Sequence, residues 1–137
     1  MSVIDTITST VLEHYPGLQG IYLFGSFGTE DEWQDSDVDI ALLLKPEEAK
    51  IERLLAMSGC SADLARLLHK EVDLLNARLV STVFQKEIVM NGRLIYCGDR
   101  SAVDEFEMLT LSKYQKLNKE RQDIVDAALA DGRFYAV

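Results

Sequence analysis

The chain is poor in cysteine and in proline, with two of each among its 137 residues. The cysteines, Cys60 and Cys97, lie far apart and belong to no CxxC motif or cysteine–histidine cluster. This spacing excludes a structural zinc site and a disulfide framework as the source of stability. A chain of this length buries about two thirds of the surface that its unfolded form exposes, so an apolar core is sufficient for one domain.

Long apolar runs are also absent. The longest purely apolar run is Ile40–Leu44, five residues, whereas a membrane-spanning helix needs about 20. The first residues, MSVIDTITSTVLEHYPG, lack both the basic and the apolar region of a secretory signal. We therefore expect a cytoplasmic protein that does not span a membrane.

Basic residues are scarce, since 14 Lys and Arg face 23 Asp and Glu and the formal net charge is −9. Eight of the carboxylates fall between residues 28 and 48, where Lys45 is the one basic residue. This imbalance excludes binding to long nucleic acids or anionic membranes that is driven by charge. The acidic segment instead attracts cations, and a phosphate-bearing substrate needs a divalent metal to enter it.

Helical and strand patterns alternate along the chain. Apolar residues at three- and four-residue spacing indicate helices, and short apolar runs bounded by glycine or polar residues indicate strands. The predicted strands are Gly20–Phe24, Val38–Leu44, Glu71–Leu75 and Leu94–Cys97, and the predicted helices are 3–14, 47–69 (with a candidate break at Ser58-Gly59), 79–91 and 102–130. This alternation predicts a single α/β domain over residues 1–137, with a short mixed sheet of about four strands packed with helices.

Two aspartates stand at the start of the second predicted strand. Residues i and i+2 of a strand project from one face, so Asp37 and Asp39 present carboxylates roughly 6 to 7 Å apart at the backbone. Without a cation, two such charges about 4 Å apart repel by about 4 kcal/mol at an effective dielectric near 20. Mg²⁺ reverses that penalty, and Asp73 on the third predicted strand is the candidate for a third ligand of a two-metal site.

Gly25 and Ser26 follow the first predicted strand. A glycine at a strand end lets the backbone approach a phosphate closely, and the serine offers a backbone N–H and a hydroxyl. The pair therefore indicates a nucleotide-binding turn beside the carboxylates.

These residues match a known pattern. Gly25-Ser26, ten residues and then Asp37-Val38-Asp39 reproduce the GS-x10-DxD signature, so the chain resembles the DNA polymerase β-like nucleotidyltransferases, with Asp73 in the place of their third metal carboxylate. The small size and the stretches IYLFGS, VDLLNARLVSTVF and SKYQKLNKERQDIVD resemble the minimal nucleotidyltransferase (MNT) antitoxins in particular. That resemblance covers nearly the whole chain.

The resemblance implies the polymerase β palm-like fold and an enzyme that transfers AMP from ATP to a hydroxyl with two Mg²⁺ ions, releasing pyrophosphate. In the antitoxins of the type VII-like HEPN/MNT pairs, the acceptor is a tyrosine hydroxyl of the partner HEPN ribonuclease toxin. By position, Gly25 and Ser26 hold the β and γ phosphates, Asp37 and Asp39 hold the metals, and Asp73 ligates the metal beside the attacking oxygen and helps take its proton. Many relatives carry a basic residue shortly after the glycine-serine pair, whereas residues 27–30 of this chain carry none.

The chain divides into a predicted catalytic core, residues 1–100, and a C-terminal helix, residues 101–137. The helix is longer than a four-stranded sheet requires, so it either only covers the sheet or offers part of its apolar stripe as a docking face for a partner. ATP and the cognate HEPN-type toxin are the expected partners, with no nucleic acid and no membrane.

The DxD motif by itself is compatible with three further kinds of structure. An EF-hand loop starting at Asp35 requires glycine where Ile40 stands and glutamate where Pro46 stands. Many glycosyltransferases carry a DxD motif for nucleotide sugars, and two aspartates beside a strand can also form an acidic surface turn. At the level of function, two hypotheses compete with the antitoxin enzyme: a small-molecule nucleotidyltransferase of the aminoglycoside type, and an antitoxin that neutralises by binding alone.

Overall fold

A computed structural model describes residues 2–24 and 37–131. Along these residues helices and strands alternate as the sequence predicts. In chain order the elements are α1 (Val3–His14), β1 (Gly20–Phe24), β2 (Val38–Leu43), α2 (Pro46–Ile51), a 3₁₀ turn (Leu55–Met57), α3 (Gly59–Leu68), β3 (Val72–Asn76), α4 (Thr82–Asn91), β4 (Arg93–Cys97) and α5 (Arg100–Asp131).

The four strands form one mixed sheet in the order β3-β2-β1-β4. β1 pairs antiparallel with both β2 and β4, and β2 pairs parallel with β3. The parallel pair requires a long crossover, which α2, the 3₁₀ turn and α3 supply. The predicted mixed sheet of four strands is therefore confirmed.

The candidate break at Ser58-Gly59 in the helix predicted over residues 47–69 is confirmed, although α2 already ends at Ile51. Ser58 separates the 3₁₀ turn from α3, because its hydroxyl accepts a hydrogen bond from the Ser61 amide and donates one to the Leu55 carbonyl. The first bond caps the N-terminus of α3, and the second closes the preceding 3₁₀ turn. Ile51 and Leu54, two apolar residues within the predicted helix, are 79% and 69% exposed.

The sheet is covered on both faces. One core lies between the sheet and the helices α1 and α3, and the other lies between the sheet and the helices α4 and α5. Alternate residues of β2 enter the two cores: Val38, Ile40 and Leu42 the first, Ala41 and Leu43 the second. Because Asp39 precedes Ala41 and Leu43 at two-residue spacing, its side chain lies on the face of α4 and α5.

The last helix is 32 residues long, about 48 Å at 1.5 Å per residue. Its first turns bury Val103 and Phe106 in the second core, and Thr110 is also buried. The Tyr22 hydroxyl donates a hydrogen bond of 2.8 Å to the Glu107 carboxylate and so joins α5 to β1.

The later part of α5 is exposed, with Ile124 at 70%, and the docking role of residues 101–137 stays a prediction. No helix among the described residues is both long enough and apolar enough to cross a membrane.

Candidate active site

The two aspartates of the DxD motif lie at the start of β2. Asp37 directly precedes the strand and is exposed, whereas Asp39 is half-buried within it. On its β1 side, Asp39 is the register partner of Phe24, the last residue of β1. The two carboxylates therefore project from one face at the end of the sheet where β1 finishes and β2 begins.

Asp73 lies next to Asp39 across the parallel pair. The register joins Val38 to Val72, Asp39 to Asp73 and Ile40 to Leu74. Neighbouring strands are about 4.8 Å apart, and register partners share a face. The backbone thus brings together residues 39 and 73, which are separated in sequence by the whole crossover.

The charges of these aspartates act on one another. Burial raises the pKa of Asp39 above its usual value, and the negative charges of Asp73 and then Asp37 raise it further. Each neighbour thus disfavours the ionised form of Asp39, which is the effect expected of carboxylates that share a site. A divalent cation between them removes this repulsion.

A fourth carboxylate belongs to this end of the sheet. Asp37, Glu71, Val72 and Asp73 line an open pocket of about 220 Å³. We call Asp37, Asp39, Glu71 and Asp73 the acidic cluster. No sequence motif marks Glu71, although its position two residues before Asp73 on a predicted strand places it on the same face.

The donor types of the acidic cluster fit Mg²⁺, which binds through a few carboxylates together with substrate oxygens. Within residues 2–24 and 37–131, no three His, Cys, Asp or Glu side chains are gathered closely enough to hold a metal ion. The backbone register aligns residues 39 and 73, and their role as metal ligands stays a prediction. Gly25 and Ser26, the predicted nucleotide-binding turn, lie outside the described residues.

The Arg78 guanidinium is engaged in hydrogen bonds away from the acidic cluster. Its Nε donates to the Leu44 carbonyl and one Nη donates to the Gln19 side chain, both at 2.6 Å. Gln19 precedes β1 and Leu44 follows β2, so Arg78 lies at the end of the sheet opposite the acidic cluster. We assign Arg78 to the stability of these loops.

Comparisons with known proteins agree with this geometry. Residues 7–101 match the sequence profile of the Polbeta family, described as "Polymerase beta, Nucleotidyltransferase". The chain is 34% identical over 127 residues to "Protein adenylyltransferase MntA" of Shewanella oneidensis strain MR-1, an alignment that covers 93% of this chain and 88% of that protein.

Solved structures are similar over the same extent. A crystal structure of a toxin–antitoxin with AMP-PNP contains a chain that matches with a TM-score of 0.71 and 32% identity, covering 92% of this chain and 98% of that one. A structure of a tri-AMPylated Shewanella oneidensis HEPN toxin in complex with MNT antitoxin matches with a TM-score of 0.67 and 33% identity, covering 93% and 96%. The predicted nucleotidyltransferase fold is confirmed, and the chain belongs to the polymerase β nucleotidyltransferase family.

Proposed function

We propose that this chain is the antitoxin of a toxin–antitoxin pair and a Mg²⁺-dependent protein adenylyltransferase. It transfers AMP from ATP to a tyrosine hydroxyl of its cognate HEPN-type toxin, in the cytoplasm where ATP is available. The observation that carries the proposal is the register of the parallel pair, which sets Asp73 beside Asp39 on the face that also bears Asp37. The similarity to an MntA adenylyltransferase, and to a chain crystallised with AMP-PNP, supports the choice of nucleotide and of acceptor.

The residues take separate roles in this proposal. Gly25 and Ser26 hold the β and γ phosphates of ATP, and Asp37 and Asp39 hold two magnesium ions. When bound, magnesium neutralises the triphosphate and makes its α phosphorus more electrophilic. Asp73, on the edge strand β3, lies on the side where the acceptor approaches.

The transfer forms one bond and breaks one. The tyrosine oxygen bonds to the α phosphorus, the bond between the α phosphorus and its bridging oxygen to the β phosphorus breaks, and pyrophosphate leaves. A tyrosine hydroxyl has a pKa of about 10, so its proton needs an acceptor at neutral pH. Asp73 takes this proton and passes it to solvent.

The test uses the purified chain, its cognate HEPN-type toxin, Mg²⁺ and ATP labelled at the α phosphate. We expect label on the toxin with the wild-type chain, and none when the label is on the γ phosphate, because that phosphate leaves with pyrophosphate. Asp39→Asn should slow transfer by about two orders of magnitude or more, since several kcal/mol of transition-state stabilisation depend on the metal ligands.

Asp104→Asn is the matched control. Asp104 forms an exposed ion pair of 3.1 Å with Arg100 on α5, away from the acidic cluster, so this variant should transfer AMP like the wild type. Equal transfer by Asp39→Asn and wild type would contradict the proposed roles. A toxin that stays unlabelled while the chain still neutralises it would make the chain an antitoxin that acts by binding alone.

A further inference from the structure

Two phenylalanine rings form an aromatic wall beside the acidic cluster. Phe24 is the last residue of β1, and Phe84 lies in the first turn of α4. Their ring centroids are 5.7 Å apart with an interplanar angle of 80°, an edge-to-face pair. This geometry is favourable because the positive edge of one ring meets the negative face of the other.

Part of the pair faces solvent and part of it is packed. Phe24 is half-buried and packs against the second core. Phe84 is 38% exposed, and its backbone amide donates a hydrogen bond to the side chain of Ser81, the N-cap of α4. The Phe84 ring therefore packs against Phe24 and its backbone belongs to a capped helix, while part of the side chain is exposed.

The order of the strands decides on which side of the site these rings lie. The register of β3, β2 and β1 aligns Asp73, Asp39 and Phe24 in one row across the sheet, on one face. Phe24 is thus adjacent to Asp39 and on the opposite side from Asp73. It also directly precedes Gly25, where the proposed triphosphate-binding turn begins.

The proposed reaction brings two planar rings to this site, the adenine of ATP and the phenol of the acceptor tyrosine. The acceptor oxygen has to approach Asp73 on the β3 side, so the β1 side remains for the nucleotide. An aromatic side chain binds a base by stacking on its π face. We propose that Phe84, positioned by Phe24, is the platform on which the adenine of ATP stacks; this inference rests on the proposed adenylyltransfer.

Stacking without hydrogen bonds has a consequence for specificity. A phenylalanine ring recognises a planar base and does not distinguish the base edges, because every base has a π face. At this platform, ATP and GTP should therefore bind with dissociation constants within about tenfold of each other. Loss of the ring should weaken both nucleotides by the same factor.

The test measures binding of AMP-PNP with Mg²⁺ by calorimetry, together with steady-state transfer to the toxin. Phe84→Leu keeps an apolar side chain against Phe24 but removes the π face, and it should raise the Kd for AMP-PNP and the KM for ATP by about tenfold. The kcat and the KM for the toxin should stay within about twofold of wild type, and Phe84→Trp should restore nucleotide affinity.

Val83→Ala is the matched control, because Val83 adjoins Phe84 on α4 and is 40% exposed. It should leave the Kd for AMP-PNP unchanged. Thermal unfolding of each variant verifies that it folds.

An unchanged Kd in Phe84→Leu would overturn the platform, as would an equal loss in Val83→Ala. A rise in the KM for the toxin alone would also overturn it, since the ring would then face the acceptor. Because AMP-PNP binding requires no transfer, the two proposals fail separately: binding that depends on Phe84 without any labelled toxin refutes the transferase alone. A wild-type chain that binds no AMP-PNP refutes both.

Discussion

Asp39 is the residue at which burial and like charge act together. Both effects raise its pKa in the folded protein. The protonated side chain therefore adds to the free energy of unfolding. This contribution is fully present below the unfolded pKa of about 3.9 and is lost as the pH rises through the folded pKa. At neutral pH without metal, the ionised Asp39 therefore destabilises the fold. The carboxylate that the proposed chemistry requires thus lowers the free energy of unfolding of the metal-free protein.

Asp39→Asn should accordingly raise the midpoint of thermal unfolding in EDTA at pH 7, while transfer of AMP is lost. The gain should shrink as the pH falls through the folded pKa of Asp39, because the wild-type side chain then becomes neutral as well. Adding Mg²⁺ should raise the midpoint of the wild type and leave that of the variant almost unchanged. An Asp39→Asn variant that is less stable than wild type in EDTA at pH 7 would contradict this account.

The two thiols differ in environment and should differ in reactivity. Cys60 is buried on α3, and burial, with a smaller effect of the Asp63 charge, raises its pKa to about 11. Cys97 is exposed at the end of β4. Since the thiolate is the reactive form, a disulfide reagent at pH 8 should modify one thiol per native wild-type chain. In the Cys97→Ser variant, the reagent should modify no thiol until denaturant is added. Two fast thiols in the native wild type would refute the buried position of Cys60.

Among the elements, α5 is joined to the sheet by a polar contact as well as by apolar packing. Burial raises the pKa of Tyr22 well above its usual value, and its hydrogen bond to Glu107 raises it further. Tyr22→Phe removes the hydroxyl that donates this hydrogen bond, so the partly buried Glu107 carboxylate loses its donor. The free energy of unfolding should fall by about 1 to 2 kcal/mol. Denaturant unfolding measures this, with Tyr114→Phe as the control, because that variant keeps the ring over which the Lys86 ammonium lies.

The break between the 3₁₀ turn and α3 depends on Ser58. Ser58→Ala removes both the N-cap of α3 and the hydroxyl that closes the turn, so we expect a loss of about 1 kcal/mol in unfolding free energy. Ser112→Ala, at an exposed serine within α5, should be neutral or slightly stabilising, because alanine has the higher helix propensity. Equal effects of the two substitutions would show that the cap contributes nothing.

The strands could be predicted from the sequence because each is a short apolar run between polar or glycine residues. The break at Ser58-Gly59 could also be predicted, whereas the end of α2 at Ile51 could not, because the apolar period continues past that residue. Within the site, strand periodicity was enough to place Asp37 beside Asp39. The alignment of Asp39 with Asp73 depends on strand order and register, which a local pattern does not contain. The Phe24–Phe84 pair depends on how α4 packs on the sheet.

At the scale of the whole molecule, α5 is longer than the sheet that it covers. Residues 118–127 are all exposed, so they contribute little to the buried core. A chain ending at Leu117 should therefore unfold at a midpoint within a few degrees of the full chain, since small changes in stability move the midpoint of such a domain by about 4 °C per kcal/mol. A chain ending at Met108 also loses the buried Thr110 and should be clearly less stable.

The crossover between β2 and β3 links activity to the completion of folding. Residues 39 and 73 become neighbours only when α2, the 3₁₀ turn and α3 have folded and the parallel strands have paired. Such non-local pairing is slow compared with the formation of a helix or a hairpin. A nascent or partly unfolded chain thus has two of the four carboxylates of the acidic cluster in place and cannot carry out the proposed transfer of AMP. Activity is therefore restricted to chains that have completed folding.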